Sequence, residues 1–305
     1  MTNQELDRLK QDRDVAIMAH YYVDGEIQDM ADYVGDSFFL AQKALEIEAQ
    51  NIIMAGVSFM GESIKILNPD KTVYLPDQEA DCPMAHMVTL EKIQEMREAY
   101  EDLAVVCYVN STAEIKAHSD YCCTSANAVK VLSAIEAKNI FFIPDGNLGA
   151  NISGFFPDKN IICNDGACPV HHEVTLDQVK SLRQAHPGAK VLAHPECRPE
   201  IMEFVDYKGS TSGILKAVED LGGDEFIVLT EEGIAWKLQK TYPDKTFIFN
   251  DMVCQGMKQV KKEDILRIIE EGGPEVTLDE DLRIAARKPL ERMLEVCASP
   301  QKALV

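Results

Sequence analysis

Residues 51–71 read NIIMAGVSFMGESIKILNPDK, which combines a strand-like apolar run, a stretch with helical spacing and the tripeptide Pro-Asp-Lys. The same pattern returns as NIFFIPDGNLGANISGFFPDK at 139–159 and as EFIVLTEEGIAWKLQKTYPDK at 225–245. Self-similarity at a fixed, long period is the signature of a repeated structural unit. We therefore predict that the chain contains three homologous copies of one unit.

The repeat extends on both sides of these stretches. Each tripeptide is followed by an apolar run and then by a cysteine. These cysteines are Cys82, Cys168 and Cys254, and successive ones are 86 residues apart. After the cysteines come similar helix openings: VTLEKI at 88–93, VTLDQV at 174–179 and VKKEDI at 260–265. Upstream, three strand-like runs end in polar clusters: VAIMAHYY at 15–22, LAVVCYVNST at 103–112 and AKVLAHPECR at 189–198.

The alternation of short apolar runs with helical spacing indicates the fold class. Runs rich in Val and Ile, such as Val15–Ala19 and Ile52–Ala55, are typical of parallel strands buried on both faces. We predict an α/β fold with three homologous αβα units, whose parallel sheets are arranged with pseudo-threefold symmetry around a central active site. Thr175 and Gln178 predict a capping box at the helix after Cys168.

The repeat also predicts how the chain divides. We expect a first αβ repeat with an N-terminal helix at 1–102, a second repeat at 103–188 and a third at 189–273. Residues 274–305 lie outside the repeat, and we expect them to form a helical tail that packs on the body.

Composition argues against several partners. The 305-residue chain carries a formal net charge of −21 and has no dense cluster of Lys and Arg, so we expect no nucleic-acid partner. No apolar run approaches the roughly 20 residues of a membrane-spanning helix, and the charged N-terminus MTNQELDRLKQDRD lacks a signal peptide's apolar stretch. We expect a cytoplasmic protein with no membrane partner.

The nine cysteines favour a metal or catalytic role over a disulfide framework, since their number is odd and no secretory signal is present. The absence of a CxxC pair argues against zinc fingers. Three equivalent thiolates could hold a [4Fe–4S] cluster whose open iron acts as a Lewis acid, or a zinc ion with an open position. Five other cysteines are expected to be small apolar core residues: Cys107, Cys122, Cys123, Cys163 and Cys297.

Polar residues follow the first strand of each repeat, and ligands of open α/β units bind at such carboxyl ends. The three clusters are His20-Tyr21-Tyr22, Tyr108-Val109-Asn110 and His194-Pro195-Glu196. Hydroxyl side chains also stand in register where a helix begins, where they can cap it or bind an anion: Ser37, Ser125 and Thr211. One site built by all three units is expected if these edges face one axis.

Position in the repeat distinguishes the histidines and two of the acids from one another. We expect functional roles for His20 and His194, and give functional and structural roles equal weight for His171. Four others are expected to be structural: His86, His118, His172 and His186. For Asp36 and Glu62 we favour capping or surface roles.

Nine segments carry a resemblance that covers nearly the whole chain. They are AHYYVDGEIQDMADYVGDS at 19–37, ILNPDK at 66–71, DCPMA at 81–85, YVNSTAEIKAHSDYCCTSANA at 108–128, DGNLGANI at 145–152, DGACPVHHEVT at 165–175, AHPECRPE at 193–200, GSTSG at 209–213 and TEEG at 230–233. Together they resemble quinolinate synthase, the A protein of bacterial NAD biosynthesis. The resemblance implies a transferase that condenses iminoaspartate with dihydroxyacetone phosphate to quinolinate, phosphate and water.

The resemblance also implies a cofactor and a set of site residues. One [4Fe–4S] cluster per chain would be held by Cys82, Cys168 and Cys254. The family's substrate-binding positions fall on His20, Ser37, Tyr108, Val109, Asn110, Ser125, His194, Pro195, Glu196, Ser210 and Thr211, of which Ser210 and Thr211 match a phosphate-binding pair. Acid–base roles fall on Tyr22 and Glu196, and His20, Tyr108 and His194 are further catalytic candidates.

Several alternatives stay open at this point. The same three thiolates suit a zinc-stabilised structural protein, and another open-iron dehydratase could act on a different hydroxy acid. An L-aspartate oxidase or dehydrogenase is a possible partner, because it would make iminoaspartate. Some family members carry a cysteine pair near the C-terminus, whereas this chain has only Cys297 there, so a disulfide switch in the tail is not expected.

Overall fold

Three separate four-stranded sheets, all of them parallel, form the framework of the computed structural model, which describes residues 2–299. The first sheet contains β1 (Val15–His20), β2 (Tyr33–Gly35), β3 (Asn51–Ala55) and β4 (Thr72–Tyr74). The second contains β5 (Leu103–Tyr108), β6 (Tyr121–Cys123), β7 (Asn139–Ile143) and β8 (Asn160–Cys163). The third contains β9 (Lys190–Ala193), β10 (Tyr207–Lys208), β11 (Glu225–Leu229) and β12 (Thr246–Ile248).

Each sheet has the same strand order, in which the second strand of the unit lies at one edge: β2-β1-β3-β4, β6-β5-β7-β8 and β10-β9-β11-β12. The first and third strands of each unit are therefore central, and both are almost wholly buried, as their apolar composition predicts. The predicted α/β fold of three similar units with parallel sheets is confirmed.

Helices alternate with the strands. Those of the first unit are α1 (Asn3–Asp12), α2 (Gly25–Met30), α3 (Ser37–Ala44), α4 (Ser58–Leu67) and α5 (Leu90–Ala99), with a 3-10 turn at Pro83–His86. The second unit has α6 (Ala113–Ala117), α7 (Ala128–Ala134), α8 (Gly146–Ser153), α9 (Pro169–His172) and α10 (Leu176–Ala185). The third has α11 (Pro199–Met202), α12 (Thr211–Leu221), α13 (Ile234–Thr241), α14 (Gln255–Gln259) and α15 (Lys262–Glu271), and α16 (Glu280–Ala298) follows.

An aspartate ties the first strand of each unit to the second. Asp120 Oδ2 accepts hydrogen bonds from the Val105 backbone N–H, at 2.8 Å, and from Arg97 on the preceding helix, at 3.0 Å. Asp32 and Asp206 make the same two kinds of contact in the other units. One carboxylate thus positions a strand and a helix in every repeat.

The lysine of the repeated Pro-Asp-Lys tripeptide also has a structural role. Lys159 Nζ donates to the carbonyl oxygens of Ile135 and Ala137 at 2.6 and 3.0 Å. Lys71 and Lys245 donate to carbonyl oxygens at equivalent places in their own units. A cation close to carbonyl oxygens at the end of a helix is favourable. This contact explains why the tripeptide recurs three times.

The units pack unequally. One apolar cluster runs through the first and second sheets and onto α16, whereas the third sheet has a separate cluster on each face. Helix α16 lies against α4, α6 and β6. The predicted division at 102/103, 188/189 and 273/274 stays a prediction, and residues 300–305 of the predicted tail lie outside the described residues.

Two smaller observations complete the fold. The predicted capping box at Thr175 and Gln178 is confirmed, because each side chain contacts the other's backbone N–H at the start of α10. Within residues 2–299, the structure contains no helix that is both long enough and apolar enough to cross a bilayer.

We predict that Lys159→Met lowers the free energy of unfolding by about 1–3 kcal/mol, because two carbonyl oxygens lose a charged donor. Lys138→Met is the matched control, since that side chain is exposed. Urea unfolding followed by circular dichroism measures both changes. Equal unfolding midpoints for the two variants would contradict the structural role of the tripeptide.

Candidate active site

Residues at the carboxyl ends of central strands from all three sheets border one cavity. Most of the residues singled out in the sequence line it: His20, Tyr22, Ser37, Cys82, Tyr108, Asn110, Ser125, Cys168, His194, Glu196, Thr211 and Cys254. They come from all three units, so the cavity is built jointly.

Three other candidates, Val109, Pro195 and Ser210, are not among the lining residues. Val109 packs in the apolar core, and the carbonyl of Pro195 accepts a hydrogen bond from Asn151 at 2.8 Å. Ser210 caps α12, where its hydroxyl accepts the backbone N–H of Gly213 at 3.2 Å. Val109 and Pro195 thus have packing and backbone contacts, and Ser210 caps a helix.

Cys82, Cys168 and Cys254 lie at the boundary between this cavity and a second one, since all three line both. Among the described residues, the one group of three potential metal-ligand atoms within 4.8 Å of one another belongs to Cys168, His171 and Glu196. At least two of the three cysteine sulfurs are therefore more than 4.8 Å apart. Burial raises the pKa of the Cys82 thiol to about 12.

Two buried carboxylates hold the backbone beside two of these cysteines, and the sequence had not singled them out. Asp145 Oδ2 accepts the N–H of Cys168 at 3.1 Å, and its other oxygen accepts the N–H of Leu148 at 2.7 Å. Glu231 Oε1 accepts the N–H of Cys254 at 3.1 Å. Both acids follow the third strand of their unit and have no exposed surface.

The pattern is broken in the first unit, where Val57 occupies the corresponding position after β3. Glu231 Oε2 also accepts the N–H of Gly233 at 2.7 Å, and Lys258 Nζ lies 3.4 Å from Oε1. Burial raises the pKa of both Asp145 and Glu231, although Lys258 opposes that shift at Glu231. In the sequence, only their equivalent positions in the aligned repeats distinguish these two acids from others.

Glu196 is the buried acid at the centre of the cavity. Its Oε2 lies 2.8 Å from His171 Nδ1 and 3.6 Å from His194 Nδ1. Burial alone would raise the pKa of Glu196, but its interactions with both histidines and a hydrogen bond from Tyr108 hold it below its usual value. Glu196 is therefore an ionised carboxylate in a desolvated cavity.

His171 connects this acid to the opposite wall. Its Nδ1 lies 3.1 Å from Cys168 Sγ, and its Nε2 lies 3.0 Å from the hydroxyl of Thr230. The Thr230 hydroxyl lies 2.7 Å from the Tyr22 hydroxyl, which in turn lies 2.9 Å from that of Thr211. Thr230 had no sequence signal beyond its place at the end of β11, and it joins residues of three units.

Burial disfavours the charged forms of two histidines and two tyrosines that line the cavity. Burial lowers the pKa of His20 and of His194 to about 4. His194 Nε2 lies 3.0 Å from the hydroxyl of Ser125. Burial, together with the charge of Glu196, raises the pKa of Tyr22 and of Tyr108 well above the usual value. Both tyrosines are therefore hydroxyl donors.

Three buried polar atoms on the cavity wall have no partner among the described residues: Asp36 Oδ2, Asn110 Oδ1 and Thr124 Oγ1. Buried polar groups are normally hydrogen-bonded, so such atoms mark positions for a ligand. Asp36 also caps α3, and Glu62 accepts the N–H of Ala113 at the start of α6. The four histidines expected to be structural lie away from this wall: His86, His118, His172 and His186.

Comparison with known proteins gives the family. A family model described as "Quinolinate synthetase A protein" matches residues 4–295. A quinolinate synthase of Fusobacterium nucleatum is 54% identical over 292 residues, which are 95% of this chain and 98% of that protein. Quinolinate synthase 2 of Methanosarcina acetivorans is 46% identical, over 96% of this chain and 95% of that protein. The quinolinate synthase of Aquifex aeolicus is 42% identical, over 96% of this chain and 93% of that protein. The chain therefore belongs to the quinolinate synthetase A protein family.

Proposed function

We propose that the chain condenses iminoaspartate with dihydroxyacetone phosphate to give quinolinate, phosphate and water. The observation that carries the proposal is the convergence of three equivalent cysteines, an ionised Glu196 and two tyrosine hydroxyls on one cavity. Family membership supports the same reaction. An L-aspartate oxidase or dehydrogenase would supply the imine.

The donor set fits a [4Fe–4S] cluster held by Cys82, Cys168 and Cys254. The sulfurs are spread too widely for one zinc ion, whose Zn–S bonds of about 2.3 Å would bring them within about 3.8 Å of one another. They also separate the inner from the outer cavity, where a group bound by all three could face the substrate. A bound cluster would supply an open iron as a Lewis acid for the loss of water.

Glu196 has the position and the ionised state that a general base needs, although the same interactions that lower its pKa also lower its basicity. It is ionised, buried and within reach of a ligand in the cavity, so it can remove a proton during enolisation and ring closure. Tyr22 and Tyr108 keep their protons and can donate hydrogen bonds or a proton to developing oxyanions. The neutral rings of His20 and His194 orient substrate oxygens without adding charge.

The phosphate of the second substrate would be bound at the start of α12. Thr211 lines the cavity at the first residue of this 11-residue helix, and Ser210 is its N-cap. Backbone N–H groups and the helix dipole favour an anion there. Ser37 and Ser125 add hydroxyl groups on the other walls, and the described lining residues include no Lys or Arg. Dipoles and neutral donors would therefore bind the anions.

We predict that anaerobically purified chain makes quinolinate from the two substrates and contains about four irons and four sulfides per chain. Glu196→Gln should slow quinolinate formation by about 10²–10⁴-fold, because the amide cannot accept the proton. Glu200→Gln, on the exposed start of α11, is the control and should retain activity. A colourless, iron-free chain that still makes quinolinate would refute the cluster, and a brown chain that makes none would refute the reaction.

We predict that Asp145→Asn loses its cluster to an iron chelator roughly tenfold faster than the unsubstituted chain, because one of two backbone donors loses its acceptor. Decay of the cluster's visible absorbance measures the rate. Asp165→Asn, an exposed residue on the loop that leads to Cys168, should lose the cluster at the rate of the unsubstituted chain. Equal rates for both variants, with circular dichroism unchanged, would show that Asp145 only caps α8.

A further inference from the structure

A second potential metal site overlaps the proposed cluster site. The ligand atoms of Cys168, His171 and Glu196 all lie within 4.8 Å of one another, and the described residues contain no other such group. His171 Nδ1 is the shared atom, 3.1 Å from Cys168 Sγ and 2.8 Å from Glu196 Oε2. His171 and Glu196 are buried, and Cys168 is partly buried.

One thiolate, one imidazole and one carboxylate make a ligand set typical of zinc. Zinc binds these atoms at about 2.0–2.3 Å, which puts neighbouring ligands of a tetrahedral ion about 3.4–3.6 Å apart. The distances from His171 Nδ1 to Cys168 Sγ and to Glu196 Oε2 would therefore each need to lengthen by only about half an ångström to admit the ion. Three protein ligands leave the fourth position open, as in catalytic zinc sites.

The residues around these ligands already have the arrangement that a zinc site requires. A zinc-bound histidine usually donates its other N–H to an oxygen, which fixes the tautomer. His171 Nε2 lies 3.0 Å from the Thr230 hydroxyl, which can accept an Nε2 proton when Nδ1 gives up its own proton to bind the metal. The Thr230 hydroxyl is therefore placed to fix the ring of His171 as a ligand.

We propose that the cluster-free chain binds one zinc ion, or another borderline-soft divalent cation, through Cys168, His171 and Glu196. Since Cys168 serves both sites, the ion and the cluster exclude one another. Zinc would also occupy Glu196, and the protein would stay inactive until the ion is removed. Cluster assembly is thus in competition with a ready-made mononuclear site.

Cobalt(II) titration of the reduced, cluster-free chain tests this proposal, with zinc as the competitor. One ion per chain should bind, with the visible bands of tetrahedral cobalt and the charge-transfer intensity of one thiolate. His171→Asn and Glu196→Gln should each weaken binding by more than about 100-fold, because each removes a direct ligand, and loss of an outer hydrogen-bond partner alone costs about 10–100-fold. Cys82→Ser and Cys254→Ser are the matched controls and should bind cobalt as the unsubstituted chain does.

The outcomes separate the possibilities. Loss of cobalt in Cys82→Ser or Cys254→Ser, or the charge-transfer intensity of three thiolates, would show that the cysteine triad holds the ion and would overturn the proposal. Unchanged affinity in both His171→Asn and Glu196→Gln would overturn it as well. Circular dichroism of each variant checks folding, and two independent ligand variants keep the test valid if one does not fold.

A cluster reconstitution experiment distinguishes this inference from the proposed function. One equivalent of zinc should block the recovery of cluster absorbance in the unsubstituted chain, and much less so in His171→Asn, which retains all three cysteines. If the chain makes quinolinate and zinc does not slow reconstitution, the proposed function stands and the zinc site is refuted. If zinc binds as described but no quinolinate forms, the zinc site stands and the proposed function is refuted.

Discussion

Parallel strand pairing is the constraint on which the rest of this structure depends. In a parallel sheet all carboxyl ends lie at one edge, and here three such edges border one cavity. Every polar residue that follows a central strand is thereby brought to the same space. The aspartates that tie first to second strands repeat in all three units and keep this geometry equivalent.

The three equivalent units supply unequal chemistry. The position after the third strand carries Val57, Asp145 and Glu231 in turn, so only the second and third units use a buried carboxylate to hold a cysteine loop. Glu196 is ionised in a cavity whose described lining has no Lys or Arg, and histidines and a tyrosine hydroxyl stabilise it. A symmetric framework thus supports an asymmetric site.

Much of the fold and part of the site could be predicted because the signals are periodic. Strand and helix patterns recur with the repeat, and the equivalent cysteines and strand ends recur with them, so their convergence follows from the topology. Repetition does not reveal the roles of His171 and Thr230, because those roles come from contacts with Cys168, Glu196 and Tyr22. Such contacts leave no trace in spacing along one chain.

The sequence by itself determined the three-unit α/β organisation, the set of equivalent cysteines and the polar ends of the first strands. These features depend on local patterning and repetition, which can be recognised from the order of the residues alone. Only the tertiary structure decided which side chains meet, that Glu196 stays ionised while His20 and His194 stay neutral, and that Asp145 and Glu231 hold cysteine backbones. Burial and distances between units set those properties, and both arise only when the three sheets pack together.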